Sequence, residues 1–307
     1  MFIVSYKNIF FAISGVLFAA SIAAVVTYGL HFGIDFTGGT LTEVTYTNDR
    51  PSTVEVSSAL EAAGFAGSVV RETAEKGMVI RTRVISENEH AAMRDILSFK
   101  ETRPYTETRF SFVGPVIGQE LRQKAWLAVA LVILGIALFI AFAFRKVSEP
   151  VSSWVYGGTA ILALVHDVFI PTGVYVTLGH YLPGYEIDTL FVTAIMTILG
   201  FSVHDTIVIF DRVRENLKLH NRNHTKESFA ETVGDSLRQT MTRSINTSMT
   251  VLFVLVALYM FGGAAIKPFA LTLVVGIVAG TYSSIFIAAP FLVFVNDMQE
   301  RKNKRKK

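Results

Sequence analysis

Residues 200–212, GFSVHDTIVIFDR, place ionisable side chains near one end of an apolar run of membrane-spanning length. A charge at the centre of a bilayer costs about 2.5 to 3.5 kcal/mol on insertion scales, so a segment that only anchors a protein avoids it. At a helical rise of about 1.5 Å per residue, Asp205 lies about 8 Å inside the span if the hydrocarbon core ends near Phe210. The position of Asp205 therefore predicts a functional carboxyl group, with Asp211 as a supporting polar residue near the membrane surface.

The start of the next apolar run offers a partner for Asp205. Arg243, Asn246, Thr247 and Thr250 follow one another at helical spacing and form a single polar stripe. If the two runs pack as antiparallel neighbours, this stripe lies against Asp205, and Arg243 is the candidate counter-charge. The alternative is that Arg243 extends to the lipid headgroups, as arginines at helix ends commonly do.

Two His–Asp dipeptides, His166–Asp167 and His204–Asp205, occur in two different apolar runs. Ionisable residues inside spans usually face the bundle interior, and their default interpretation is a proton or ion path. An ionised Asp205 attracts Arg243 and a protonated one releases it, so the two states favour different helix packings. The residues thus predict an ion-responsive switch. A carboxylate serves H⁺ or Na⁺ equally well, and His204 either joins the path or is an inert substitution.

Small residues predict close contact between helices in the same region. Gly276, Gly280 and Ser284 follow a small-xxx-small pattern in the last apolar run, and Gly200 precedes the ionisable residues of the fourth. Small side chains let helix backbones approach closely, which permits either sliding or static packing.

The composition assigns the chain to integral membrane proteins. Of 307 residues, 51% are hydrophobic and only 17% are charged, and there is no cysteine. Cysteine-based metal sites and thiol chemistry are excluded. We find no nucleophile–base set, phosphate-binding glycine loop or HExxH-type metal motif, so we expect no enzyme, no cofactor, no metal and no nucleic-acid partner.

Six apolar runs each approach the roughly 20 residues that span a bilayer as a helix. They cover residues 9–30, 125–144, 152–178, 187–210, 245–263 and 267–295. Basic residues concentrate in alternate loops, around Arg145 and Lys146, in the connection between runs four and five, and in the tail RKNKRKK. The positive-inside rule therefore predicts cytoplasmic termini. His220 and His224, in the connection between runs four and five, are expected to be solvated loop residues.

Residues 31–122 form the sizeable segment that is left outside the membrane. Alternating strand patterns and two helical segments follow in the order βαββαβ, which is typical of a ferredoxin-like sandwich of one sheet and two helices. The predicted organisation is therefore four parts: residues 1–30 with the N-terminus and first span, the outer domain 31–122, spans two to six in 123–296, and the basic tail 297–307.

Several motifs together resemble one family over nearly the whole chain. They are GIDFTGG after the first run, VGPVIGQEL before the second, HDV in the third, HDTIVIFDRVREN in the fourth and RSINTSMT at the fifth. This set, in this order, is similar to the SecF branch of the SecD/SecF protein-export family, within the resistance-nodulation-division superfamily of proton-driven transporters. The family usually has Asn where this chain has His204.

The resemblance implies half of a twelve-span unit, completed by a SecD partner in the bacterial inner membrane, with the outer domain in the periplasm. It implies that Asp205 and Arg243 correspond to the essential intramembrane aspartate and arginine of the family. It further implies assistance to the SecYEG channel and the ATPase SecA in exporting preproteins, driven by an ion gradient.

Two other functions stay open at this point. One is half of a small-molecule or lipid exporter of the same superfamily. Such exporters usually carry both six-span repeats and two large outer domains in one chain, which argues against this alternative. The other is a structural subunit that only braces SecD or the channel, without an ion path of its own.

Overall fold

The computed structural model describes residues 2–73, 76–144, 151–182, 184–224, 227–263 and 265–304. Three segments used in the sequence predictions lie outside the described residues. They are Ala74 and Glu75, the basic residues Arg145 and Lys146, and the end of the tail at residues 305–307.

The described chain contains eleven α-helices, one π-helical segment and four strands. The helices are α1 (Phe2–Ser5), α2 (Lys7–Tyr28), α3 (Ile34–Thr37), α4 (Thr53–Ala62), α5 (Glu87–Leu97), α6 (Pro115–Ala143), α7 (Ser153–Tyr181), α8 (Thr189–Asn223), α9 (Phe229–Phe261), α10 (Lys267–Ser283) and α11 (Ala289–Lys304), with the π-helical segment at Ser284–Ala288. The strands are β1 (Gly39–Tyr46), β2 (Val69–Thr73), β3 (Gly77–Thr82) and β4 (Tyr105–Val113).

Six helices in the described residues are long and apolar enough to cross a membrane, which confirms the predicted six spans. They are α2, α6, α7, α8, α9 and the continuous helical stretch Lys267–Lys304. Hydropathy succeeds here because the bilayer core requires about 20 consecutive apolar residues and satisfies no backbone polar group outside a helix.

The chain packs as two compact units. The membrane unit contains Met1–Gly29, Ala128–Thr177 and Leu190–Lys307, and the outer unit contains Leu30–Leu127 and Leu178–Thr189. The outer unit thus includes the predicted loop 179–186 together with residue 178 and residues 187–189, which the sequence patterns assigned to the ends of two spans.

The outer unit contains the predicted βαββαβ arrangement. Its antiparallel sheet has the order β2-β3-β1-β4. Helices α4 and α5 each begin with a capping box, formed by Ser52 with Glu55 and by Ser86 with Glu89. In each box, the serine hydroxyl and the glutamate carboxylate satisfy backbone N–H groups that the first turn leaves free. The two helices cover one face of the sheet and bury a core that includes Val44, Tyr46, Leu60, Met78, Ile80 and Met93.

A buried hydrophobic cluster of the membrane unit joins residues of α1, α6, α7, α8, α9, the π-helical segment and α11. Phe144, Tyr156 and Phe210 are nearly inaccessible, and the rings of Tyr156 and Phe210 meet edge to face with centroids 5.2 Å apart. Such edge contacts align the positive rim of one ring with the negative face of the other. The cluster fixes α8 only five residues after Asp205.

Helices α8 and α9 extend well beyond their apolar runs as a polar helical pair. Asn216 Nδ2 donates to Ser236 Oγ over 2.9 Å, and His220 Nδ1 lies 3.1 Å from Thr232 Oγ1. Both helices thus extend past their membrane-length segments and are joined there by hydrogen bonds. Because His220 lies within α8 and contacts α9, the prediction that it is a solvated loop residue is wrong. His224 ends this stretch and is exposed.

Candidate ion-coupling site

Helix α8 positions the first ionisable group through a buried stripe at helical spacing. Ile198, Ser202, Asp205, Ile209 and Val213 belong to this stripe, and each follows the previous one by three or four residues. Because this spacing keeps side chains on one side of a helix, Asp205 points to the inside of the membrane unit. The expectation that Asp205 faces the bundle interior agrees with this geometry.

The Asp205 carboxyl group is only 3% exposed and is incompletely satisfied. Ser244 of α9 interacts with it, yet neither Asp205 Oδ2 nor the Ser244 hydroxyl completes a hydrogen bond of regular geometry among the described residues. A buried polar atom without a partner costs free energy, and the cost is far greater for an ionised group than for a neutral one. The stability of the helix packing around Asp205 therefore depends strongly on whether its carboxyl group is protonated or is approached by a cation.

The predicted polar stripe of α9 does not face Asp205 in the described chain. Arg243, Asn246 and Thr250 are exposed, and Thr247 is half-buried with its hydroxyl donating to the Arg243 carbonyl over 2.9 Å. No hydrogen bond or ion pair joins Arg243 to Asp205 among the described residues. Ser244 takes the inward place instead. It is the next residue along, and successive side chains point about 100° apart.

His204 and Asp211 lie on the exposed side of α8. His204 is exposed although it precedes the buried Asp205, as expected for adjacent helical residues. Asp211 is exposed and lies 3.7 Å from Arg214 Nη1, one turn further along the helix. The structure thus separates these two side chains from the buried stripe that holds Asp205.

The second His–Asp dipeptide forms a buried polar cluster that joins three helices. On α7, His166 Nδ1 lies 2.8 Å from Asp167 Oδ1, and both side chains are buried. Asp167 Oδ2 accepts hydrogen bonds from Ser202 of α8 and, over 2.7 Å, from Ser283 of α10. His166 Nε2 is buried without a hydrogen-bond partner in the described chain. The Asp167 carboxylate thus accepts hydrogen bonds from hydroxyl groups on two other helices. These bonds fix the relative positions of the three helices α7, α8 and α10.

Helices α8 and α10 approach each other closely beside this cluster. A Cβ atom at Gly276 would lie 2.1 Å from Ile198 Cδ1, and one at Gly280 would lie 3.0 Å from Ser202 Cβ. Ser284 is buried, and its hydroxyl lies 2.8 Å from Thr206 Oγ1. Gly200 is different, because it is exposed and has open space where a Cβ would stand. The packing role predicted for Gly200 has no contact in the described chain and stays a prediction.

Three serines of this region were not among the predicted site residues. Ser202 and Ser283 donate to Asp167, and Ser244 faces Asp205. For Ser202 a signal was present, since it lies one turn before Asp205 on the same face. Ser244 is next to Arg243 and Ser283 is next to Ser284, and in each case the sequence prediction named the neighbour. Which of two adjacent residues faces inward depends only on how the helix is rotated about its axis.

Comparisons with known proteins agree with the architecture. The family model "Protein export membrane protein SecD/SecF, C-terminal" matches residues 95–298, and the "SecD/SecF GG Motif" model matches residues 23–49. A protein translocase subunit SecF of Thermobaculum terrenum is 44% identical, with 95% of this chain and 92% of the relative covered. The SecF of Pseudomonas aeruginosa is 35% identical, with 94% of this chain and 90% of the relative covered.

A solved structure shows the same fold. The crystal structure of SecDF, a translocon-associated membrane protein from Thermus thermophilus, matches with a TM-score of 0.81 and 32% identity over 95% of this chain. The present chain spans only 38% of that solved chain. With two family models matched and curated relatives covered almost end to end, the chain belongs to the SecD/SecF family of protein export membrane proteins.

Proposed function

We propose that this chain is the ion-driven subunit of a SecDF-type complex that assists preprotein export across the bacterial inner membrane. Its relatives carry the name protein translocase subunit SecF, and the solved SecDF is described as translocon-associated. Because that solved chain is more than twice as long, we propose that a SecD partner completes the unit. The SecYEG channel and SecA are the translocon components that this complex would assist.

One observation carries the proposal: a nearly inaccessible carboxyl group, Asp205, lies on a membrane-length helix with one oxygen lacking a hydrogen-bond donor in the described residues. In the protonated state the group is neutral and compatible with its apolar surroundings. In the ionised state it requires a cation or additional donors. Loading and release of a proton, or of Na⁺, therefore favour two different arrangements of the helices around Asp205.

Arg243 is the proposed counter-charge for the ionised state. Arg243 directly precedes Ser244, the residue that faces Asp205. Because successive side chains on a helix point about 100° apart, a rotation of α9 by up to this angle moves the guanidinium towards the carboxylate. The serines at positions 244 and 248 present small side chains on the contact face of α9, and small residues permit such rotation between packed helices. Asp205 and Arg243 would thereby alternate between separated and paired arrangements.

The membrane orientation completes the proposal. The basic residues of the α8–α9 extension and of the tail favour a cytoplasmic location for those ends, so we propose a periplasmic location for the outer unit. A proton that enters from the periplasm gains about 2.3 kcal/mol per 100 mV if it crosses the whole field. That free energy is available to move the outer unit against an emerging preprotein.

The test compares export of a preprotein into inverted membrane vesicles that contain wild-type chain or Asp205→Asn, with SecD at matched levels. After SecA has started export and ATP is removed, completion is followed with and without an imposed ion gradient. We expect Asp205→Asn to lose gradient-driven completion while ATP-driven initiation continues. The matched control is Asp211→Asn, which removes an exposed carboxylate from the same helix and is expected to behave as wild type.

The other candidate functions predict different outcomes. A bracing subunit without an ion path would show normal gradient-driven completion in Asp205→Asn, and this result would refute the proposal. Half of a small-molecule or lipid exporter would leave preprotein export unaffected in both variants. A gradient of H⁺ or of Na⁺ alone, imposed in separate experiments, identifies the coupling ion.

A further inference from the structure

The Asp167 carboxyl group of α7 is buried with a donor for each of its oxygens. Its Oδ2 atom accepts hydrogen bonds from the Ser202 hydroxyl of α8 and, over 2.7 Å, from the Ser283 hydroxyl of α10, which also lies 3.0 Å from the Gly280 carbonyl. Its Oδ1 atom lies 2.8 Å from His166 Nδ1. Because hydrogen bonds from several donors favour the ionised form of a carboxyl group, we place the negative charge of this cluster on Asp167.

This arrangement determines which nitrogen of His166 carries a hydrogen. A carboxylate has no hydrogen to donate, so the hydrogen between Asp167 Oδ1 and His166 Nδ1 belongs to the nitrogen. In a neutral imidazole the other nitrogen then has a free lone pair. His166 is only 6% exposed, and its Nε2 atom has no hydrogen-bond partner among the described residues. Nε2 is therefore the atom at which the pair can take up a proton.

The net charge of the His166–Asp167 pair depends on that proton. When Nε2 is unprotonated, the neutral imidazole leaves the full negative charge of Asp167 inside the membrane unit. When Nε2 is protonated, imidazolium and carboxylate form a pair without net charge. An uncompensated charge in an apolar interior is far more costly than a paired one. The proton on His166 thus removes a cost that the serine hydrogen bonds reduce only in part.

Asp205 is the ionisable neighbour of this pair on α8. It follows Ser202 by three residues on the buried stripe, and side chains at this spacing lie about 5 to 6 Å apart. His204 is exposed, and tyrosines do not ionise near neutral pH. Apart from the pair itself, the sequence has no charged residue and no histidine in the parts of α2, α6, α7 and α10 that belong to the membrane unit, which are residues 8–28, 128–143, 153–177 and 268–283.

Two negative charges in this interior oppose each other. When Asp205 is ionised and His166 is neutral, both carboxyl groups of the region are negative. For two unit charges roughly 10 Å apart, an effective dielectric constant of about 20 disfavours this state about 10- to 20-fold. Protonation of His166 removes the repulsion, because it cancels the charge of Asp167. Release of the proton from Asp205 is therefore easier while His166 holds a proton.

We propose that His166 Nε2 is a second proton-binding site of the membrane unit, and that its proton compensates the charge of Asp167 while Asp205 is ionised. Asp167 is the positioning residue of this site, since its carboxylate holds the imidazole in the tautomer that leaves the Nε2 lone pair free. The binding site rests on the geometry of the pair alone. Its use in export rests on the proposed function of Asp205.

Nitrogen NMR spectra of the wild-type chain test the site directly. The full chain, with its histidines isotopically labelled, is reconstituted in lipid with an unlabelled SecD partner, and solid-state spectra show which ring nitrogens carry a hydrogen. Of the seven histidine signals, the one that is missing from His166→Asn belongs to His166. We expect Nδ1 to carry a hydrogen throughout, and Nε2 to gain one as the pH is lowered from about 8 to about 5. A neutral His166 over the whole range, or an unprotonated Nδ1, overturns the inference.

Export into inverted vesicles tests how the proton is used. The first variant is His166→Asn, whose amide keeps a donor near the Nδ1 position but takes up no proton. The second is His166→Asn/Asp167→Asn, which also removes the negative charge. His224→Asn is the control, since it removes an exposed histidine at the end of α8. For each variant, with SecD at matched levels, we measure gradient-driven completion and the pH profile of carbodiimide labelling at Asp205.

We expect His166→Asn to slow gradient-driven completion about 10- to 20-fold, because Asp167 then keeps its charge whenever Asp205 ionises. Carbodiimide reacts with protonated carboxyl groups, so labelling of Asp205 should persist to a pH about one unit higher than in wild type. The double variant should recover most of both effects, since it leaves no charge at position 167 to compensate. The control should behave as wild type.

Wild-type completion in His166→Asn overturns the inference, provided that Asp205→Asn abolishes completion in the same vesicles. A double variant as slow as His166→Asn overturns it too, because the pair would then contribute packing and not charge compensation. Normal completion in Asp205→Asn overturns the proposed function, and the nitrogen spectra and the labelling profile still decide whether His166 binds a proton.

Discussion

The contact between α8 and α10 provides the sharpest stability test, at Gly276. A Cβ atom there would lie 2.1 Å from Cδ1, 2.4 Å from Cγ1 and 3.0 Å from Cγ2 of Ile198. Ile198 is 1% exposed, so its side chain has little space into which it can turn. Gly276→Ala therefore forces either a strained rotamer or a shift of one helix, and overpacking of this kind costs about 1 to 3 kcal/mol.

Thermal unfolding of the purified chain in detergent, followed by far-UV circular dichroism, measures this cost. A loss of this size lowers the melting temperature by several degrees. The matched control is Gly200→Ala on α8, where the added methyl group meets open space. We expect this control to be as stable as wild type or more stable by up to about 1 kcal/mol, because alanine lacks glycine's entropic cost in a helix and the added methyl group touches nothing.

A second background isolates the clash from every other effect of the substitution. Ile198→Ala removes all three atoms that the new Cβ would meet, at a cost of its own of about 2 to 5 kcal/mol. In that background Gly276→Ala should have almost no further effect, since the two residues are directly coupled. If Gly276→Ala lowers the melting temperature no more than Gly200→Ala does, the close approach of α10 to α8 is refuted.

Two further predictions concern the outer unit and the membrane orientation. The Arg83 guanidinium, and after it the Ser86 backbone and hydroxyl, lower the pKa of Glu89 from 4.5 to about 2. The stabilising effect of the ionised Glu89 carboxylate is therefore complete above pH 4.5 and is lost as the pH falls towards about 2. Hydrogen exchange of the sheet in Glu89→Gln should consequently show a weaker acid dependence over that range than wild type, and an unchanged dependence would contradict the assignment. Because the chain has no cysteine, a membrane-impermeant maleimide should label Asp49→Cys but not Lys302→Cys in intact spheroplasts, and the reverse pattern would contradict the proposed orientation.

Much of the outer unit follows from local sequence signals. Strict alternation in TLTEVTYT predicts β1, and the serine–glutamate pairs at Ser52 and Ser86 mark the beginnings of α4 and α5. These signals suffice because each element depends on neighbours within a few residues. The pairing of Ile187 with His31 and Gly33 has no such local signal, since it joins distant segments through backbone atoms alone.

The six spans were predictable from hydropathy, but their inward faces were not. In a soluble protein the apolar face of a helix marks its inside, whereas in a membrane both lipid and protein interior are apolar. Polar residues then provide the main clue, and α9 carries two polar stripes, one with Arg243 and one with Ser244. In the described chain Ser244 takes the inward position, one residue after Arg243, and no local signal in the sequence distinguishes the two stripes.

Helix α10 is the element on which the polar contacts of the membrane unit converge. Near its end Thr281 lies 2.6 Å from Ser248 of α9, Ser283 donates to Asp167 of α7, and the adjacent Ser284 bonds Thr206 of α8. The π-helical segment begins at Ser284, where one extra residue per turn changes the direction in which side chains point. Conversion of this segment to regular α-helix would rotate the residues after it relative to those before it. The contacts at Thr281, Ser283 and Ser284 lie at the start of this change of direction, so they hold the end of α10 against three helices while the residues after the segment would rotate.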